Sequence, residues 1–214
     1  MLEAIILTLA VSPLCPSPNG QFSQSVVTDN HVVCMVDVPN QSSYALWSVP
    51  ISGGPAVKLS QEMASNRDVI AFQVSADRVV YTADPVRWTQ YELYSVPISG
   101  GSPVKLSGAM PSDNDVDDFA FAGGRVVYRK GRNATGVWDL WSTGVTGGGT
   151  VRLSQPNMSA VQRGFIVRGS IVRFAQDPSG GGVSTWYAAP VVGGAVWTEI
   201  FTDGFESGGV TKWQ

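Results

Sequence analysis

Apolar residues in this chain come in short bursts. Between positions 69 and 106 they group as Val69 to Val74, Arg78 to Ala83, Tyr91 to Ile98, and Pro103 to Leu106. A polar turn at Ser75-Ala76-Asp77, a variable loop from Asp84 to Gln90 and a Gly100-Gly101 turn separate them. Such runs, rich in Val, Ile, Tyr and Phe and bounded by Gly, Asp and Pro, read as β-strands. None sustains a helical period. In the third run Leu93, Tyr94, Val96 and Ile98 place apolar groups on both sides, so this strand is expected to be covered on both faces. Pro97 and its counterpart Pro50 lack a ladder donor and must lie where a strand bends or ends.

The pattern recurs with a fixed period. Ser48-Val49-Pro50-Ile51-Ser52-Gly53-Gly54 returns letter for letter 47 residues on, as Ser95 to Gly101. Val57-Lys58-Leu59-Ser60 returns as Val104-Lys105-Leu106-Ser107 and again as Val151-Arg152-Leu153-Ser154. Arg78-Val79-Val80-Tyr81 returns as Arg125-Val126-Val127-Tyr128, with His31-Val32-Val33-Cys34 as the earlier relative. A more worn fourth copy keeps Trp186-Tyr187, Pro190 and Gly193-Gly194 in order. The copies divide the chain at about 21–60, 61–107, 108–154 and 155–201, leaving 1–20 as an N-terminal strand or degenerate signal segment and 202–214 as a C-terminal tail. A four-stranded unit that is apolar on both faces must stack on its neighbours. The expected fold is all-β: propeller blades of four antiparallel strands, about four of them, in a closed small ring or a partial arc.

Composition narrows the function. The 14 basic residues against 17 acidic ones give a net charge of −3, which excludes the basic footprint of a nucleic-acid binder. The longest apolar run, Ala4 to Val11, is too short for a membrane span. Cys15 and Cys34 could pair in an exported protein, or Cys34 could be a buried free thiol within its apolar run.

A Ser-x-Asp turn (Ser75-Ala76-Asp77), then Val79-Val80-Tyr81, Leu93-Tyr94, Gly100-Gly101 and Leu106-Ser107 together resemble the TolB-type, WD-repeat-like propeller repeat. The third copy keeps Val126-Val127-Tyr128, Leu140-Trp141 and Gly147-Gly148 but has Ala122-Gly123-Gly124 at the turn. The resemblance implies a periplasmic or extracellular location and a non-catalytic binding role. Propellers of this type commonly have six or seven blades, so about four implies a small ring or a fragment. An open arc would expose its terminal faces to self-association.

Candidate chemistry is sparse. The one histidine, His31, stands where the other copies have Arg78 and Arg125, as a solvated residue at a strand start. One His and two Cys cannot assemble a zinc set from nitrogen and sulfur ligands. Asp113, Asp115, Asp117 and Asp118 alternate in a way that could converge on Ca²⁺, the one cofactor this sequence suggests. Against it, Asp118 stands where an EF-hand-like turn needs glycine and Gly124 where it needs the bidentate Glu, so a solvated loop competes. In a four-stranded blade the second-to-third loop and the connection to the next blade share one rim. Here those segments are the longest and most variable. Arg87, Trp88 and Tyr91 on that rim are the expected anchors for a protein or glycan partner. The expected function is a non-catalytic binding or scaffold module of an exported bacterial protein. The alternative is an accessory propeller domain or fragment of a larger hydrolase or lyase.

Overall fold

A computed structural model describes residues 15–16, 22–132, 135–156, 160–178 and 182–199. The expected C-terminal tail, and the N-terminal strand or signal segment apart from Cys15 and Pro16, lie outside them. Among the described residues every regular element is a strand. The first sheet holds β1 (Phe22–Val27), β2 (His31–Val38), β3 (Ser43–Pro50) and β4 (Val57–Lys58); the second holds β5 (Val69–Ser75), β6 (Arg78–Ala83), β7 (Glu92–Pro97) and β8 (Val104–Lys105). The third holds β9 (Asn114–Ala122), β10 (Arg125–Arg132), β11 (Val137–Gly144) and β12 (Val151–Arg152); the fourth holds β13 (Ile166–Arg168), β14 (Ile171–Gln176), β15 (Thr185–Pro190) and β16 (Trp197–Glu199). Each sheet is an antiparallel meander of consecutive strands, the blade of a β-propeller. Pro50 and Pro97 are the last residues of β3 and β7, where a missing donor is tolerated.

Three apolar clusters join neighbouring blades. Val33, Met35, Leu46 and Leu59 of the first blade meet Val69, Phe72, Val79 and Tyr81 of the second. Val80, Leu93 and Leu106 meet Val116, Phe119, Val126 and Tyr128. Val127, Leu140 and Leu153 meet Val161, Val172, Phe174 and Tyr187. Among the described residues no core cluster joins the fourth blade to the first. The far face of the first blade (Val32, Cys34, Val36, Trp47) is instead covered by Cys15, which is disulfide-bonded to Cys34. That pairing resolves the two alternatives for the cysteines.

The repeated letters have repeated jobs. Leu59, Leu106 and Leu153 are each no more than 2% exposed, a burial worth roughly 2 kcal/mol apiece. The serine after each one accepts a hydrogen bond from a third-strand amide: Leu46 N to Ser60 Oγ at 3.1 Å, Leu93 N to Ser107 at 3.3 Å and Leu140 N to Ser154 at 3.2 Å. The Gly-Gly turns sit against the preceding blade. A Cβ on Gly100, which has φ +101°, would meet Val57 Cγ1 at 2.6 Å, and Gly147 and Gly193 face Val104 and Val151 in the same way. Second-strand arginines reach third-strand serines, Arg78 Nε to Ser95 Oγ at 2.9 Å and Arg125 Nε to Ser142 Oγ at 2.8 Å. Arg125 Nε also donates to Val191 O of the fourth blade at 3.0 Å. In the first blade His31 replaces the arginine, and the buried Ser48 Oγ has no hydrogen-bond partner.

Candidate functional site

The long loops share a rim, and between the second and third blades they enclose a cleft of about 500 Å³. The β6–β7 loop contributes Trp88, Thr89, Gln90 and Tyr91; the β8–β9 loop contributes Ser112 and Asp113. Asp115 and Asp117 come from the start of β9, Ile70 from β5, Trp138 from β11, and Arg163 from the connection to the fourth blade. The structure thus brings two separate groups of sequence candidates, Trp88 with Tyr91 and Asp113 with Asp115 and Asp117, to one place. Arg87 is exposed on the same loop but does not line the cleft.

Local backbone irregularities shape this site. The pairing of β5 with β6 skips Ile70, and that of β9 with β10 skips Asp117, so both residues sit in β-bulges. A bulge re-aims a side chain that regular pleating would place elsewhere, and both residues line the cleft. The β6–β7 loop is held by Asp84, whose Oδ2 accepts from Thr89 N at 2.9 Å. Thr89 itself has φ +60°, an uncommon backbone for a β-branched residue and one that the surrounding contacts must hold in place. Its neighbour Trp88 is 73% exposed. Gln90 Nε2 donates to Pro111 O and fastens this loop to the next one.

The carboxylates have distinct partners. Asp115 Oδ1 accepts from Tyr91 N at 2.9 Å, just as Asp68 Oδ1 accepts from Tyr44 N at 2.6 Å one repeat earlier. This is a clamp from one blade to the chain at the start of the third strand of the blade before it, in β3 at Tyr44 and just ahead of β7 at Tyr91. Burial raises the pKa of Asp115 above 3.8, while the Tyr91 amide opposes the rise. Asp117 Oδ2 pairs with Arg129, and at 2.8 Å with Arg163. Asp113 lies 3.5 Å from Arg132 Nε. Burial also raises Asp118, whose Oδ2 accepts from Gly164 N at 3.3 Å. Desolvation lowers the Arg129 pKa, opposed by Asp117, and its guanidinium lies 4.2 Å from the centre of the Trp138 ring. These pairings draw the carboxylates to amides and guanidiniums. Among the described residues no three His, Cys, Asp or Glu side chains are grouped to hold a metal ion.

Arg129, Trp138 and Arg163 are site residues that sequence reasoning missed. The available signal was Asp117-Asp118 standing where the second copy has Ile70-Ala71. Two carboxylates in a buried strand require cationic partners nearby. His31 begins β2, at the opposite end of the strand from the cleft rim and in a different blade.

No family model matches the chain, and neither does any curated protein. Solved structures do. A prolyl endopeptidase aligns with a TM-score of 0.60 at 10% identity, over 82% of this chain and 26% of its own. A puromycin hydrolase aligns with a TM-score of 0.58 at 14% identity, over 83% of this chain and 28% of its own. A TolB-like protein from Agrobacterium tumefaciens aligns with a TM-score of 0.45 at 14% identity, over 83% of this chain and 67% of its own. The chain spans about a quarter of the peptidases' length, and at these identities what it shares with them is the propeller fold.

Proposed function

We propose that this chain is a non-catalytic binding module of an exported protein, and that its partner is met at the loop-rich rim. The observation that carries this reading is the cleft between the second and third blades, where a 73%-exposed tryptophan stands on a strained, tethered loop. Rigid sheets presenting variable loops are a common arrangement for recognition. The Cys15–Cys34 disulfide supports an oxidising compartment, periplasmic or extracellular. No helix among the described residues is long and apolar enough to cross a membrane.

The test is site-specific photo-crosslinking in the exporting cell. A crosslinker at Arg87 is expected to trap partners, and one at Ser52, on the opposite rim, is not. Equal labelling from both positions, or none from Arg87, would overturn the reading. Turnover of peptide or glycoside esters by the purified chain would overturn its non-catalytic part. The likeness to peptidase propellers favours a second reading, an accessory propeller portion of a larger hydrolase. It requires a catalytic domain on the same polypeptide or a tightly bound one, which the mass of the native protein decides.

A further inference from the structure

We infer that the cleft between the second and third blades is a saccharide site, with Trp88 as the stacking platform and Arg163 and Asp113 as the hydroxyl-binding groups. The inference rests on the reading of the loop rim as a recognition face and adds the class of ligand.

The volume, about 500 Å³, falls within the roughly 300–1,000 Å³ of small-molecule sites. Charge decides what can occupy it. Its charged lining groups are Asp113, Asp115, Asp117 and Arg163. Asp117 pairs with Arg163 and, from outside the lining, with Arg129, and Asp113 lies against Arg132, also outside the lining, so two of the three carboxylates are already met by guanidiniums. An anion would meet the carboxylates and a simple cation the Arg163 guanidinium, each in a partly desolvated cleft where repulsion is costly. A neutral ligand whose groups both donate and accept can use both kinds of partner, and hydroxyls do so.

The reach of the groups agrees. Arg163 is anchored to Asp117 through Nη2 at 2.8 Å while its side chain is 71% exposed, so it presents donors from a fixed position. The Asp113 side chain is 42% exposed and offers acceptors. Trp88 supplies the third requirement. Its π face carries partial negative charge, and the C–H face of a pyranose ring carries the complementary partial positive charge. The indole sits on a loop held by Asp84 and Gln90, so little ordering is needed when a ring stacks on it.

The test is saturation-transfer NMR and fluorescence titration of the full chain. The probes are a panel of neutral oligosaccharides (maltotriose, cellotriose, chitotriose, xylotriose) and the tripeptides Ala-Lys-Ala and Ala-Glu-Ala. At least one oligosaccharide is expected to bind with a Kd of about 1 mM or tighter. That affinity should be unchanged between low salt and about 0.5 M salt, because no net charge is exchanged. Trp88→Ala and Arg163→Ala are each expected to weaken it at least about tenfold while circular dichroism stays as in the parent, and for the exposed Trp88 the Tm stays as well. Absence of binding across the panel, binding unchanged by Trp88→Ala, or a preference for either tripeptide would overturn the inference. If the saccharides fail while crosslinks from Arg87 persist, the rim remains a recognition face and only the ligand class is wrong. If both fail, the rim reading fails with it.

Discussion

His31 offers a direct measurement of what one repeated contact is worth. In the second and third blades an arginine at this position donates to a third-strand serine at 2.9 Å and 2.8 Å. In the first blade the equivalent Ser48 hydroxyl is 1% exposed and has no partner. Leaving such a group unpaired costs about 1–3 kcal/mol, and a hydrogen bond from a charged donor returns about 1.5–3 kcal/mol. Ordering an arginine side chain takes back about 1.5–2 kcal/mol. His31→Arg should therefore stabilise the protein by about 1 kcal/mol. That is a Tm rise of about 2–4 °C for a chain of this size, with a higher urea midpoint and an unchanged slope. Ser48→Ala removes the orphan and should itself stabilise by about 1–3 kcal/mol, and in that background His31→Arg should gain nothing further. The reasoning is refuted if His31→Arg leaves the midpoint where it was, or raises it equally with and without Ser48.

Gly131→Ala should destabilise by about 3 kcal/mol through overpacking, because its Cβ would sit 2.1 Å from Val137 O and 2.6 Å from Trp138 Cα. Gly124→Ala, which meets nothing within 4 Å, should stay within about 0.5 kcal/mol, and urea melts of the pair check both. Replacing Cys15 and Cys34 together by Ser opens a link across 19 residues and should cost about 3 kcal/mol, or about 6–12 °C in calorimetry. Burial raises the Asp68 pKa above 3.8, with Asp84 and Asp37 adding to the rise and the Tyr44 amide opposing it. The folded state then holds a proton that the unfolded state releases, so this contribution is full below pH 3.8 and is lost as pH climbs through the raised value. Asp68→Asn keeps an acceptor for Tyr44 N without titrating. The stability of the parent relative to this variant should fall from pH 3.8 upward in urea melts, and a flat or rising difference would show the sign to be wrong.

The strands were legible because four copies state the same pattern. Val69, Arg78 and Ala83 are strand limits in both the sequence reading and the structure. The disulfide was not legible, since a separation of 19 residues does not reveal that the two Cα atoms lie 6.1 Å apart. Trp88 and the aspartates stood out singly. Their meeting depends on which loops share a rim and on a bulge at position 117, and neither has a local sequence signature. Arg163 was invisible for a related reason. An arginine in a polar loop looks solvated until the blade that precedes it places Asp117 within reach.

The wear in the first and last copies follows the position of their faces. Val33, Val80 and Val127 occupy one repeat position, and each packs toward the following blade. The fourth copy has Arg173 there, its guanidinium 5.9 Å from the centre of the Trp186 ring. On the other face Tyr81, Tyr128 and Phe174 pack toward the preceding blade, and the first copy has Cys34, which is covered through its bond to Cys15. β6 and β10 are buried along consecutive residues, whereas β14 alternates buried with half-buried ones. Among the described residues no core cluster covers this face of the fourth blade, and a polar face is what a sheet without such a cover needs to stay soluble. Arg173→Val would restore the interior residue at that face and create an apolar patch that no core cluster among the described residues covers. Sedimentation velocity over a wide concentration range should then show association of the variant at concentrations where the parent sediments unchanged. Identical profiles would mean that Arg173 does not guard the flank, and that divergence of the fourth copy has another cause.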